Sequence, residues 1–173
     1  MAMTFKINSQ NDGKVVEIIF AGILDESFAL EGELELAEID HLIFDFQRLR
    51  YINSTGIKFW VGFMANVNAH TNIHSTFKNC PKFIIDQINS IIGFLPKRGE
   101  VESYFIPVFC ERCEKSFRIH QFSKDETTDE NEIIDSIQSL EDCQVFPKCR
   151  DQLVVDVAPD SFFRFLKANE TEG

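Results

Sequence analysis

The segment HLIFDFQRLRYINSTGI, residues 41–57, decides the fold of this chain. Its first part, His41 to Phe46, is an apolar run typical of a strand in the middle of a sheet. A short link then leads into a predicted helix from Gly56 to about Asn68. Asn53 or Ser54 occupies the N-cap position, where a side-chain oxygen accepts a hydrogen bond from an unpaired backbone N–H group. The apolar residues at helical spacing, which predict the buried face, are Ile57, Trp60, Val61, Met64 and Val67.

Upstream of this segment, the sequence predicts a β-hairpin. Residues 5–9 alternate apolar and polar side chains, Asp12-Gly13 is a turn signal, and Val15 to Gly22 is rich in β-branched residues. Residues 25–40 contain a glycine within an irregular apolar pattern, which predicts a loop with a short helix.

Downstream, two further strands and a helix are expected. Ser75 to Lys78 predicts a brief strand. Pro81 marks the start of a predicted helix, and Gly93 marks its end. Val101 to Val108 predicts the last strand of the unit. Phe59 and Trp60, which have apolar helical neighbours, are interpreted as core residues. The order of elements indicates an α/β unit, with a mixed sheet and helices packed mainly on one face.

The sequence resembles the STAS domain, the sulfate transporter and anti-sigma-factor antagonist family. The resemblance rests on Phe20 to Glu26, on the strand ending in Asp45-Phe46, and on Ile52 to Ile57 opening a helix. Cys80 to Asn89 and Gly93 to Leu95 resemble a bacterial subgroup that joins a STAS-like domain to a cysteine-rich ribbon. The resemblance covers nearly the whole chain and implies a STAS-like fold.

The resemblance also implies a function and a site. In the family, the first serine of an Asp-Ser-Ser/Thr-Gly sequence is phosphorylated by a partner kinase that is also an anti-sigma factor. Carried over, the acceptor is Ser54, and the partner-binding residues are Asn53, Ser54, Thr55 and Gly56. Asn53 stands where the family has Asp, and the span between the second strand and Asp45 is short. Two other interpretations of Ser54 stay open, a helix cap without chemistry and a site for a small anion.

Charge and composition exclude several classes of protein. The 173 residues have 44% hydrophobic side chains and 18 Phe, enough for a real core. The net charge of −11 argues against a nucleic-acid partner. No apolar run approaches the roughly 18 residues of a membrane helix, and the start MAMTFK is not a signal segment. We therefore expect a cytoplasmic protein with no membrane partner.

The cysteines suggest a structural zinc site. Cys110 and Cys113 have the two-residue gap of a zinc knuckle, and the second pair, Cys143 and Cys149, has a gap of five. The ribbon subgroup implies a cysteine where this chain has Phe146, and Cys143 or His120 is a substitute ligand. The alternative is a degenerate ribbon held by apolar packing. Cys80 is interpreted as a small buried side chain rather than a reactive thiol.

The chain is expected to have two parts, a STAS-like domain over 1–108 and a ribbon-like appendage over 109–173. Within the appendage, 123–132 is predicted to be a mobile acidic loop, since the twenty residues 123–142 contain eight acids and one base. The apolar residues that follow at helical spacing permit a short amphipathic helix or a loop that docks; they are Ile133, Ile134, Ile137 and Leu140.

Three functional hypotheses follow from these observations. The first is a non-enzymatic signalling module that binds a protein partner and is switched at Ser54, and the second is a constitutive scaffold with the same surface. The third, an enzyme, is a thiol oxidoreductase using Cys110 and Cys113. It is disfavoured because the pair follows a strand rather than opening a helix, and because phosphate-loop and nucleophile motifs are absent from the sequence.

Overall fold

A computed structural model describes residues 3–28, 30, 32–124, 129–139 and 153–168 of the chain. Five strands form the first sheet: β1 (Thr4–Gln10), β2 (Val15–Leu24), β3 (His41–Ile52), β4 (His74–Lys78) and β5 (Gly99–Val101). Their spatial order is the order of the sequence. β1 is antiparallel to β2, and the other neighbouring pairs are parallel. The predicted hairpin and the predicted α/β class with a mixed sheet are confirmed.

Two helices connect the parallel strands. α1 (Ser54–Ala69) joins β3 to β4, and α2 (Lys82–Ser90) lies between β4 and β5. Pro81 precedes α2 as its N-cap residue, in agreement with the predicted start of that helix. Between β2 and β3, where the sequence predicts a loop with a short helix, the described residues hold only a 3₁₀ turn, Leu36–Glu38.

An aromatic cluster holds α1 against the sheet. The indole of Trp60 is fully buried and contacts six phenylalanine rings with centroids 5.2 to 5.8 Å away; they belong to Phe20, Phe28, Phe44, Phe46, Phe77 and Phe94. The Trp60 Nε1–H group donates a hydrogen bond of 2.9 Å to the carbonyl of Phe94, so its polar atom is satisfied inside the core. Phe63, which the helical pattern missed, is buried beside it.

A second, three-stranded sheet follows. It consists of β6 (Ser103–Cys110), β7 (Lys115–Phe122) and β8 (Leu153–Val155), with β6 in the middle and both neighbours antiparallel to it. The last predicted strand, over 101–108, is thus two strands, β5 and β6. The two strands belong to different sheets, which the apolar pattern alone did not separate.

Three short helices cover the second sheet, namely α3 (Glu130–Gln138), α4 (Pro159–Phe162) and α5 (Arg164–Ala168). Tyr104 of β6 packs against Phe165 with ring centroids 5.0 Å apart. Asn89 of α2 donates hydrogen bonds to the carbonyls of Ser161 and Phe162, at 2.9 and 2.8 Å. These contacts tie the C-terminal helices to the first part of the chain.

The two sheets also meet through the backbone. Cys80, just after β4, donates to the carbonyl of Ser103 and accepts from the N–H group of Phe105, each at 2.9 Å. The predicted boundary at 108–109 falls inside β6. Whether the parts on either side of it are separate domains stays a prediction.

The predicted acidic loop over 123–132 is wrong at its C-terminal end. Residues 130–132 form the first turn of α3, and Asp129 caps it by accepting hydrogen bonds from the N–H groups of Asn131 and Glu132. Ile133 and Ile137 are buried, which favours the amphipathic helix over the loop. Residues 125–128 and Leu140 lie outside the described residues.

Candidate functional site

The start of α1 is fixed by a cap. The Asn53 Oδ1 atom accepts a hydrogen bond of 2.7 Å from the backbone N–H of Gly56. The backbone N–H of Asn53 donates to the carbonyl of Leu24 at 3.1 Å, which ties the helix to the end of β2. Of the two predicted cap residues, Asn53 is the one that caps, so the Ser54 side chain is not needed for this purpose.

Ser54 and Thr55 are the first two residues of α1, and both are exposed. Backbone N–H groups at this end of a helix have no intrahelical partner and make the local potential positive. A hydroxyl presented here is accessible to a macromolecule, and an anion attached to it is favoured locally.

Gly56 is buried against the end of β2. A Cβ atom at position 56 would lie 2.1 Å from the carbonyl oxygen of Leu24 and 2.8 Å from its Cδ2 atom. Glycine at this position therefore permits a close approach. The approach is that of the chain's own strand, so Gly56 positions the site rather than facing a partner.

The exposed surface at Ser54 and Thr55 continues along the solvent-facing side of α1. Its exposed residues, spaced as one helix face, are Ser54, Thr55, Lys58, Phe59, Gly62, Ala65, Asn66 and Ala69. The prediction that Phe59 belongs to the core is wrong, since its exposed fraction is 45%. Tyr51, immediately before the helix, has an exposed fraction of 56%. Two large aromatic side chains thus face solvent near Ser54, a feature that helical periodicity did not reveal.

β3 contains two register shifts against β2 that the sequence did not predict. Ile19 pairs with Asp45 and Ala21 with Arg48, so β3 has one extra residue there; a second extra residue lies between the partners of Gly22 and Ile23. Such bulges turn side chains to the other face of a strand. Strict alternation after Phe46 would bury residues 48 and 50, whereas the structure exposes Arg48 and Arg50 and buries Leu49 and Ile52.

These arginines line a surface groove of about 500 Å³. The groove is formed by Ala21, Gly22, Gln47, Arg48, Leu49, Arg50 and Arg118. Arg118 comes from the outer face of β7, where its guanidinium lies 4.3 Å from the centroid of the Phe105 ring. The groove therefore combines side chains from both sheets.

Cys110 and Cys113 lie at one turn. Cys110 is the last residue of β6 and is fully buried, whereas Cys113 is half-buried in the turn that leads to β7. Cys143 and Cys149 lie outside the described residues, as does Phe146. Within the described residues, no group of three or more His, Cys, Asp or Glu side chains is arranged to hold a metal ion. A zinc site on these cysteines stays a prediction.

His120 is not the missing ligand. It lies opposite Phe105 in the β6–β7 pairing, whereas Cys110 lies opposite Lys115. Five residues of strand, about 16 Å, separate the two positions. The His120 ring instead packs on Phe105 and Phe122, with centroids 4.9 and 4.8 Å away. The suggested substitution of His120 for a cysteine ligand is therefore wrong.

Cys80 behaves as a buried side chain. It is fully buried, and burial together with the nearby charge of Asp45 raises the pKa of its thiol well above the ordinary value. Because the thiolate is the reactive form, this environment makes Cys80 inert.

The described part of the chain has no helix both long and apolar enough to cross a membrane.

Comparison with known proteins finds similarity among solved structures. No family model matches the chain. No curated protein matches it. Among solved structures, the anti-sigma factor antagonist SpoIIAA in its unphosphorylated form is similar, with 18% sequence identity, a TM-score of 0.40, and coverage of 54% of this chain and 84% of that one. These values are too low to establish a family, so the STAS resemblance stays a prediction.

Proposed function

We propose that this chain is a non-enzymatic regulatory module of the STAS kind, which binds a partner protein in the cytoplasm through the surface around Ser54. The partner is an anti-sigma-factor-like kinase, and phosphorylation of Ser54 loosens the contact. The observation that carries the proposal is the exposed Ser54 hydroxyl at the first position of α1. The sequence motifs at 41–57 support it.

The positive end of α1 supports the proposed switch on physical grounds. A phosphate on Ser54 would add about −1.5 to −2 charges beside unpaired N–H groups, where the isolated protein tolerates it. In a tightly packed interface, the same charge would lose its water without gaining a partner, and binding would weaken. The exposed Phe59 and Tyr51 side chains supply apolar area for such an interface.

The experiment has two arms. Intact-mass analysis of the protein from its native cells should show a species heavier by about 80 Da, which Ser54→Ala removes. In affinity capture from native lysate, a Ser54→Ala bait should retain a partner that a Ser54→Asp bait releases. A Ser9→Asp bait, which adds the same charge on exposed β1, is the matched control and should retain the partner.

Asn53 favours a second candidate, a constitutive scaffold. The family's aspartate is replaced by a residue that caps the helix but has no carboxylate to offer a kinase. In this case the same surface binds its partner, and the heavier species is absent under every growth condition. Equal capture by the Ser54→Ala and Ser54→Asp baits would indicate the scaffold.

We also propose a structural zinc ion on Cys110, Cys113, Cys143 and Cys149. Cys110 lies opposite Leu153 in the β6–β8 pairing, and Cys149 is only four residues before Leu153 in sequence. Four residues span at most about 14 Å, so Cys149 is tethered near Cys110. Bound zinc would link the turn at Cys113 to the chain before β8 and stabilise this end of the sheet.

Metal analysis tests the zinc proposal. About one zinc per chain is expected, with loss of the metal in Cys110→Ser and Cys149→Ser. Cys80→Ser is the control and should keep the metal, because Cys80 is buried elsewhere. Zinc-free protein that reduces a test disulfide at a catalytic rate would instead favour the thiol oxidoreductase.

A further inference from the structure

The groove between β3 and β7 concentrates positive charge on an acidic protein. Arg48, Arg50 and Arg118 are all exposed and line it, although the chain as a whole has a net charge of −11. Among the described residues, no carboxylate lies within ion-pair distance of these three guanidinium groups, whereas five lysines do form such pairs. The groove therefore has three cations without an ion-pair partner among the described residues.

The backbone is arranged to expose two of these cations. Each register shift in β3 gives up regular pairing with β2, and together they turn Arg48 and Arg50 away from the core. The third cation, Arg118, is oriented by the Phe105 ring, since its guanidinium carbon lies 4.3 Å from the centroid of that ring. Arginine is suited to pairing with carboxylates through two parallel hydrogen bonds.

We propose that this groove binds an acidic, extended segment of a partner protein, whose carboxylates pair with Arg48, Arg50 and Arg118. The groove is open, because all three arginines are exposed, and a small ligand would remain largely in contact with water. An extended chain can cross from β3 to β7 and reach all three. The uncharged residues that line the groove are Ala21, Gly22 and Leu49, and they leave room for the backbone of a bound segment.

The edge of β3 adds a reason for an extended segment. β4 pairs with β3 only as far as Asp45, and no described strand pairs with the same edge of β3 at residues 46–52. Unpaired strand edges accept extended peptides through backbone hydrogen bonds. This site goes beyond the proposed function, since it involves neither Ser54 nor phosphorylation.

The test uses the full-length protein and a fluorescein-labelled peptide of alternating glutamate and threonine, followed by fluorescence anisotropy in about 50 mM salt. Binding is expected, and the double variant Arg48→Gln/Arg50→Gln should weaken it about tenfold or more. The matched control is Lys6→Gln/Lys97→Gln, which makes the same charge change at two exposed lysines outside the groove. It should weaken binding less than about twofold.

Arg118→Gln provides an independent check from the other sheet. Its side chain points outward, so the fold should survive even where the double variant unfolds, and peptide binding should weaken with it. Failure of the wild-type protein to bind the peptide would overturn the proposal. Equal weakening by the groove and control pairs would overturn it too, since bulk charge would then explain binding.

A further arm separates a peptide from a small anion. A peptide with glutamine in place of glutamate should not bind, and inorganic pyrophosphate should compete only weakly. If pyrophosphate binds the wild-type protein more tightly than the acidic peptide, the groove is a small-anion site and the proposal is wrong. None of these measurements changes Ser54, so their failure would leave the proposed function unaffected.

Discussion

Gly56 and Leu24 approach each other so closely that any side chain at position 56 would overlap the carbonyl oxygen of Leu24. The same carbonyl accepts the backbone N–H of Asn53. The first turn of α1 is thereby held against the end of β2, and the position of Ser54 depends on this contact.

Gly56→Ala should destabilise the protein by about 1–3 kcal/mol or more, because the new methyl group has no room and the helix start must shift. Chemical denaturation followed by circular dichroism measures the change. Gly62→Ala in the same helix is the control. Position 62 is exposed with nothing near its Cβ position, so this variant should gain about 0.5–1 kcal/mol from helix propensity. Equal stability of the two variants would contradict the close approach.

Asn53→Ala should cost about 1 kcal/mol of unfolding free energy, because the N–H group of Gly56 loses its acceptor. Asn53→Asp keeps the acceptor and places a negative charge at the positive end of the helix, so it should be at least as stable as the wild type. Denaturant titration of the three proteins checks both expectations. An Asn53→Asp variant less stable than Asn53→Ala would show that the cap is not the source of the effect.

Stability should fall in mild acid because of His41. Burial and the neighbouring His74 lower the pKa of His41 below its ordinary value of 6.5, and its Nε2 atom lies 2.8 Å from the Thr76 hydroxyl. The unfolded state therefore binds more protons than the folded state as pH falls through 6.5, and stability is lost there. His41→Gln should show a flatter dependence of unfolding free energy on pH between neutral and mildly acidic buffers. Parallel curves for the two proteins would contradict this assignment.

Cys80 should resist alkylation in the folded protein. Its buried thiol has a raised pKa and no access to solvent, so iodoacetamide at about pH 8 should leave it unmodified. Peptide mapping by mass spectrometry measures the extent of modification. The same treatment in guanidinium chloride is the control and should modify Cys80 completely. Rapid modification without denaturant would show that this part of the sheet opens readily.

The turn and the helix starts could be predicted from the sequence, because the residues that specify each of them lie within a few positions of it. The turn at Asp12-Gly13, the polar N-cap position before α1 and the proline before α2 each act on neighbouring backbone, and each appears as expected. The strand over His41 to Phe46 was predicted too short, since its continuation to Ile52 depends on pairing with β2.

The sequence by itself determined the mixed α/β fold and the position of Ser54 at a helix start, because apolar spacing and capping chemistry are properties of short segments. Only the tertiary structure decided that β3 shifts register twice and that Arg48, Arg50 and Arg118 line one groove. It also decided that β6, which pairs with β7, continues through the predicted domain boundary at 108–109. Those features depend on which strands lie side by side and in what register. The physical reason is that backbone pairing is nearly independent of side-chain identity, so register is fixed by the packing of the whole core rather than by any local stretch.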